Sequence, residues 1–69
     1  MSKLKIAIVG AGYMGLLHAQ VVAESPVAEL SAFVDPNAAS GSKAASDFGV
    51  RHFTDAAAAL TANAADAYI

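Results

Sequence analysis

Residues 10–15 read "GAGYMG", directly after the apolar run "IAIV" (6–9) and before "LLHAQVVA" (16–23). Glycine in the interior of a strand or helix costs about 0.5–1 kcal/mol relative to alanine. An ordinary loop needs one or two glycines in no particular order. Gly10, Gly12 and Gly15, set between a strand former and a helix former, imply a backbone that must come close to something.

Outward from this stretch the chain alternates strand and helix patterns. "KLKIAIV" (3–9) is apolar on both faces in its second half, as a strand buried on both sides of a parallel sheet reads. Residues 13–24 have helix-forming composition, with Met14, Leu17 and Val21 on one face and Leu16, Ala19, Val22 and Ala23 on others. Apolar all round, this helix is expected to be largely buried. Ser25-Pro26 stops it. "AELSAFV" (28–34) reads as a second strand that ends at Asp35-Pro36-Asn37.

A weaker helix over 38–48 follows, with Ala45 and Phe48 inward and Gly41 costing it about 1 kcal/mol. Gly49 stands where a left-handed helix stop belongs. "VRHF" (50–53) is a short third strand, and Thr54 or Asp55 can cap a third helix in which Ala56, Ala59 and Leu60 would face inward. A fourth strand begins at "DAYI" (66–69). This rhythm predicts an α/β fold with a doubly wound parallel Rossmann sheet and right-handed crossovers, of which the chain carries the first β-α-β-α-β-α-(β) portion.

The strand–turn–helix context gives the three glycines physical roles. Gly10 permits the tight turn out of the strand. Gly12 lets a pyrophosphate approach the main chain, and Gly15 lets the helix pack against the sheet. The helix start then offers unpaired N–H groups near Tyr13 and Met14, with the positive end of its dipole toward phosphate. A lone G-x-G-x-x-G is a weak signal, and a turn that only packs is the bland alternative. Here an acidic residue, Asp35, also falls at the carboxyl end of the second strand, where a carboxylate can accept the hydroxyls of an adenosine ribose. The same carboxylate would repel a 2′-phosphate by a few kcal/mol, on the order expected for a partly solvated pair. Pro36 and Asn37 come immediately after it, with no arginine to clamp a phosphate, so NAD is expected over NADP.

"KIAIVGAGYMGLLHAQVV", "ELSAFVDPN", "FGVRHFTDAAAAL" and "ADAYI" together resemble the start of the glucose–fructose oxidoreductase, inositol dehydrogenase and MocA family, over nearly the whole chain. The more specific parts are His18 after the last glycine, the Asp-Pro pair, and the "FGV…TD" passage. The resemblance implies a two-domain enzyme that moves a hydride between a nicotinamide and an alcohol carbon of a polyol, sugar or related small metabolite. It places Gly10, Gly12, Tyr13, Met14 and Gly15 at the pyrophosphate, Asp35 at the adenosine ribose, and Asn37 as a second polar contact at the adenine end. It also implies a substrate domain, a homo-oligomer, and a proton-transferring lysine in a Glu-Lys-Pro motif. None of the 69 residues supplies that motif, so no catalytic residue is expected here. Alternatives are a flavoprotein, an amino-acid or dicarboxylate dehydrogenase, or a non-catalytic nucleotide-binding module.

Composition narrows the field further. The chain is 57% hydrophobic and 14% charged, against about 25% charged in ordinary globular domains. A lone chain of this size is marginal and its apolar faces are short of cover. Lys3, Lys5, Lys43 and Arg51 are scattered, which argues against a nucleic-acid partner. The uncharged run 6–23 holds three glycines, a histidine and a glutamine, which argues against a signal peptide or membrane span. The absence of cysteine fits a cytoplasmic location. His18 and His52 have no metal-ligand spacing to a carboxylate, so no metal is expected. His18 reads as a packing or hydrogen-bonding residue near the helix start, with lining of the cofactor cleft as its one functional alternative, and His52 sits in a short strand.

Overall fold

The computed structural model describes residues 3–69. Its elements run β1 (Leu4–Val9), α1 (Tyr13–Ala23), β2 (Ala28–Val34), α2 (Ala38–Phe48), β3 (Arg51–Phe53), α3 (Ala56–Thr61) and β4 (Ala67–Tyr68). The four strands form one parallel sheet in the order β3-β2-β1-β4. Chain order reverses between β1 and β4, and the carboxyl ends of those strands are where an open α/β sheet places its ligand. Val9 and Ile69 meet there, the Val9 N–H donating to the Ile69 carbonyl at 2.7 Å, and both side chains stay exposed.

Two apolar layers sandwich the sheet. Ile8 and Phe33 point to the layer of α1 and α2, where Ala19, Val22, Ala44 and Ala45 cover them. Ala7, Ala32 and Val34 point to the other layer, with Ala59 of α3. Phe33 and Phe48 add a tilted ring pair with centroids 5.5 Å apart.

β2 could not serve both layers by simple alternation. Ile6 pairs with Leu30 but Ala7 pairs with Ala32, so Ser31 is an extra residue bulged out of the ladder. Strict alternation would carry Ala28 and Leu30 onto the same face as Ala32 and Val34. The bulge reverses the facing, so Ala28, Leu30 and Phe33 share the α1/α2 layer while Ala32 and Val34 go to the α3 layer.

Two sequence expectations about helix faces are corrected. α1 is not largely buried: only Ala19 and Val22 are, while Tyr13, Met14, Leu17 and Val21 are exposed, Val21 by 71%. The sheet can take just one stripe of the helix, and it takes the one built of small residues. In α3 only Ala59 packs inward; Ala56 is exposed and Leu60 is 64% exposed. The caps follow the sequence reading more closely. Asp55 rather than Thr54 caps α3, accepting the Ala58 N–H at 2.7 Å. Gly49 ends α2 in the left-handed region at φ 69°.

Candidate functional site

The turn between β1 and α1 is shaped by its glycines in three different ways. Gly10 adopts φ +97°, a conformation an L side chain rarely takes. Gly15 needs to lack a Cβ for another reason: one built there would drive into the Gly10 carbonyl oxygen, far inside the 3.0 Å that real Cβ atoms respect. The start of α1 therefore lies directly on the turn. A Cβ on Gly12 would meet nothing within 4 Å, so the space beside it is open to a ligand. Gly12 is the N-cap of α1 and brings no side chain to its free N–H groups. The first N–H groups of a helix have no intrahelical acceptor, so the main chain at Tyr13, Met14 and Gly15 presents donors to an anion. The Tyr13 and Met14 side chains are exposed, which leaves their backbone as the part suited to phosphate.

Asp35 stands at the end of β2 beside this turn. One carboxylate oxygen accepts the Ala11 N–H at 2.8 Å and the other accepts the Asn37 N–H at 2.8 Å. Its own N–H donates to the Phe53 carbonyl at 2.9 Å, and its carbonyl oxygen is 2.9 Å from Nε2 of His52. The Ala11 N–H, then the Asn37 N–H, hold the carboxyl below the usual carboxylate range; partial burial opposes them and the His52 imidazole adds to them. Asp35 is thus an anion at neutral pH with lone pairs left over for a diol.

Asn37 caps α2, its side-chain oxygen accepting the Ser40 N–H at 3.0 Å. Its amide NH₂ remains for an outside acceptor. No cation crowds Asp35 from the adjoining sequence: Lys43 pairs with Asp47 at 3.0 Å, and the Arg51 guanidinium lies 4.7 Å from the centre of the Phe53 ring. A hollow of about 510 Å³ opens at the opposite, amino-terminal ends of the strands beside Lys5, Glu29 and Arg51. A smaller one of about 140 Å³ lies between the glycine turn and α2, lined by Ala11, Leu16, Ser40, Lys43, Ala44 and Asp47.

The fold therefore brings the six candidates Gly10, Gly12, Tyr13, Met14, Gly15 and Asp35 to one corner, with Asn37 two residues beyond. His18 is exposed on α1, a correction to its reading as a packed residue. Ala11, Gly41 and His52 were missed. Ala11 gave no chemical signal, being a bare N–H donor. Gly41 gave one, since a glycine inside a helix asks for a close neighbour, and that neighbour is His52.

A model of an oxidoreductase family with an NAD-binding Rossmann fold matches residues 4–69. The chain belongs to the glucose–fructose oxidoreductase, inositol dehydrogenase and MocA family. The rhizopine catabolism protein MocA of Rhizobium meliloti is 45% identical over 40 residues, which are 58% of this chain and 13% of that protein. The crystal structure of GenD2 from gentamicin A biosynthesis, in complex with NAD, superposes with a TM-score of 0.89 at 32% identity, covering 99% of this chain and 20% of that one. Scyllo-inositol dehydrogenase from Lactobacillus casei, with bound NAD(H) and scyllo-inositol, gives 0.87 at 30% identity over 99% of this chain and 21% of its own. The chain thus spans between 13% and 21% of these relatives.

As a member of this family the chain is an NAD-binding Rossmann unit, and the flavoprotein and amino-acid dehydrogenase alternatives give way. Among the described residues no helix is long and apolar enough to cross a membrane.

Proposed function

We propose that these residues form the adenosine and pyrophosphate half of the NAD site of an oxidoreductase acting on an alcohol carbon of a polyol, sugar or related small metabolite. The observation that carries this reading is the adjacency of two unlike features: free helix N–H groups over the open space at Gly12, and the ionised Asp35 carboxylate bonded to the neighbouring Ala11. One suits an anion and the other suits a diol. A dinucleotide carries both, a pyrophosphate and a ribose diol.

In this reading Gly10, Gly12 and Gly15 shape the turn, and the N–H groups of Tyr13 and Met14 donate to the pyrophosphate. Asp35 accepts the adenosine ribose hydroxyls, and the free amide of Asn37 serves the adenine end. Asp35 also disfavours NADP, because a 2′-phosphate would face its charge at close range. When bound, NAD supplies the hydride acceptor; the residues of this chain hold and orient it. None of these 69 residues supplies the Glu-Lys-Pro motif of a proton-transferring lysine. The short identities with inositol and sugar-related dehydrogenases support the substrate class.

The test is calorimetric titration of the whole protein with NAD and NADP, followed by NADH formation over a panel of polyols and sugars. Tighter binding of NAD and turnover of a cyclic or linear polyol are expected. Equal affinity for the two cofactors would overturn the assignment of Asp35.

A further inference from the structure

His52 sits in the middle of β3, half-buried, with Nε2 at 2.9 Å from the Asp35 carbonyl oxygen. A carbonyl oxygen only accepts, so Nε2 must carry a proton and donate. Gly41 of α2 presses on the same ring edge: a Cβ there would overlap Nε2 and would lie 2.5 Å from Cδ2 and 2.8 Å from Cε1. Gly41 is buried. The helix and the histidine are therefore fitted to each other, and the fit needs a glycine.

Asp35 is consequently held at every polar group: N–H by Phe53, carbonyl by His52, and the two carboxylate oxygens by Ala11 and Asn37. The last two bonds leave the carboxylate in place only if its own backbone does not rotate. Pro36, which follows, has no N–H to help fix that peptide, and the residues after β2 leave the sheet. The only side-chain hydrogen bond on the Asp35 carbonyl among the described residues comes from His52.

We propose that His52 is a positioning residue for the cofactor's adenosine ribose: backed by Gly41, it fixes the Asp35 backbone so that the carboxylate is presented to the ribose hydroxyls. The proposal rests on the reading of Asp35 as the ribose acceptor. His52 touches no part of the cofactor itself. It removes conformations of Asp35 that NAD would otherwise have to freeze out on binding.

The experiment compares NAD with its analogue lacking the adenosine-ribose 2′-hydroxyl, by calorimetry on the whole protein. His52→Asn shortens the side chain so that its amide falls short of the carbonyl; His52→Gln keeps a donor near the Nε2 position. His52→Asn should weaken NAD about tenfold, the span of one hydrogen bond's net contribution, while the deoxy analogue changes far less. His52→Gln should recover most of the loss. Equal weakening of both ligands, or no weakening in a variant that melts like the wild type, would overturn the proposal.

A wild-type protein that binds NAD and the deoxy analogue equally well would instead overturn the reading of Asp35, a separate result. A measurement needing no variant completes the test. Nitrogen-15 NMR of the imidazole should show the proton on Nε2, slowed in exchange. A neutral ring protonated on Nδ1 alone would refute the bond on which the proposal depends.

Discussion

The Asp35 carboxylate, at the end of β2, accepts the backbone N–H of Ala11 in the glycine turn at 2.8 Å. The two residues lie 24 apart in sequence and meet because β1 and β2 are neighbours in register, Val9 beside Val34. The bond closes the turn onto the second strand and leaves the later N–H groups of the turn unengaged by it. A carboxylate has about four lone-pair sites, so this bond and a ribose contact can coexist. The residue proposed to accept the ribose hydroxyls is thus also a brace on the glycine turn.

Asp35→Ala should therefore do two things at once. The part-buried Ala11 N–H loses its acceptor, which should lower the urea midpoint of the whole protein. NAD affinity should fall by tenfold or more, NADP affinity by less, so the preference between them narrows. A variant with normal stability and an unchanged NAD preference would contradict both roles.

Acid should reveal the same bonds. The native Asp35 carboxyl is held below its ordinary value, chiefly by the Ala11 N–H and then by the Asn37 N–H. Its contribution to stability is fully present above the unfolded-state value of about 4 and is lost as pH falls through the depressed native value. In Asp35→Ala that part of the acid dependence should vanish. Urea midpoints measured across this range, wild type against variant, should converge as the pH is lowered. Parallel curves would show that the carboxylate is not held as described.

The glycines of the turn should separate by experiment. Gly15→Ala forces a Cβ into the Gly10 carbonyl, a backbone atom that cannot step aside, and should cost about 1–3 kcal/mol as an overpacked site does. Gly12→Ala meets no protein atom within 4 Å. Its stability should stay within about 1 kcal/mol of wild type, the scale of an N-cap change, while NAD binding is lost because the methyl occupies the ligand's space. Thermal melts with and without NAD distinguish the two. A Gly12→Ala protein that NAD stabilises like wild type would remove the pyrophosphate from this corner.

Much of this was legible in the chain itself, and the rest failed for definite reasons. β1, the glycine turn, the end of β2 at Asp35-Pro36 and the Gly49 stop all carry local signals: an apolar run, a backbone constraint, a missing N–H. The facing of α1 did not, because a helix apolar all round has no direction until the sheet selects a stripe, and here the sheet selects Ala19 and Val22. The bulge at Ser31 was equally silent, since "AELSAFV" reads as an unbroken strand. Ala11 and His52 become informative only when separate elements are brought together, and Gly41 signals a close neighbour without saying which. Gly41 read as a cost to α2, whereas the fold uses the missing Cβ.

That last pair yields a prediction with a change of sign. With His52 present, Gly41→Ala must push the ring off the Asp35 carbonyl, or push α2 off the sheet, and should lower stability by about 1–3 kcal/mol. With His52→Ala already made, the ring is gone and the new methyl enters the space it leaves. The intrinsic advantage of alanine over glycine in a helix, up to about 1 kcal/mol, should then prevail, so that the same substitution stabilises. The two effects are coupled through one contact and should depart from additivity well beyond the roughly 0.5 kcal/mol typical of independent sites. Urea unfolding of the four proteins measures this directly. Additive values would mean that Gly41 and His52 are neighbours without being fitted, and α2 would owe its place on the sheet to Ala44, Ala45 and the Phe33–Phe48 ring pair.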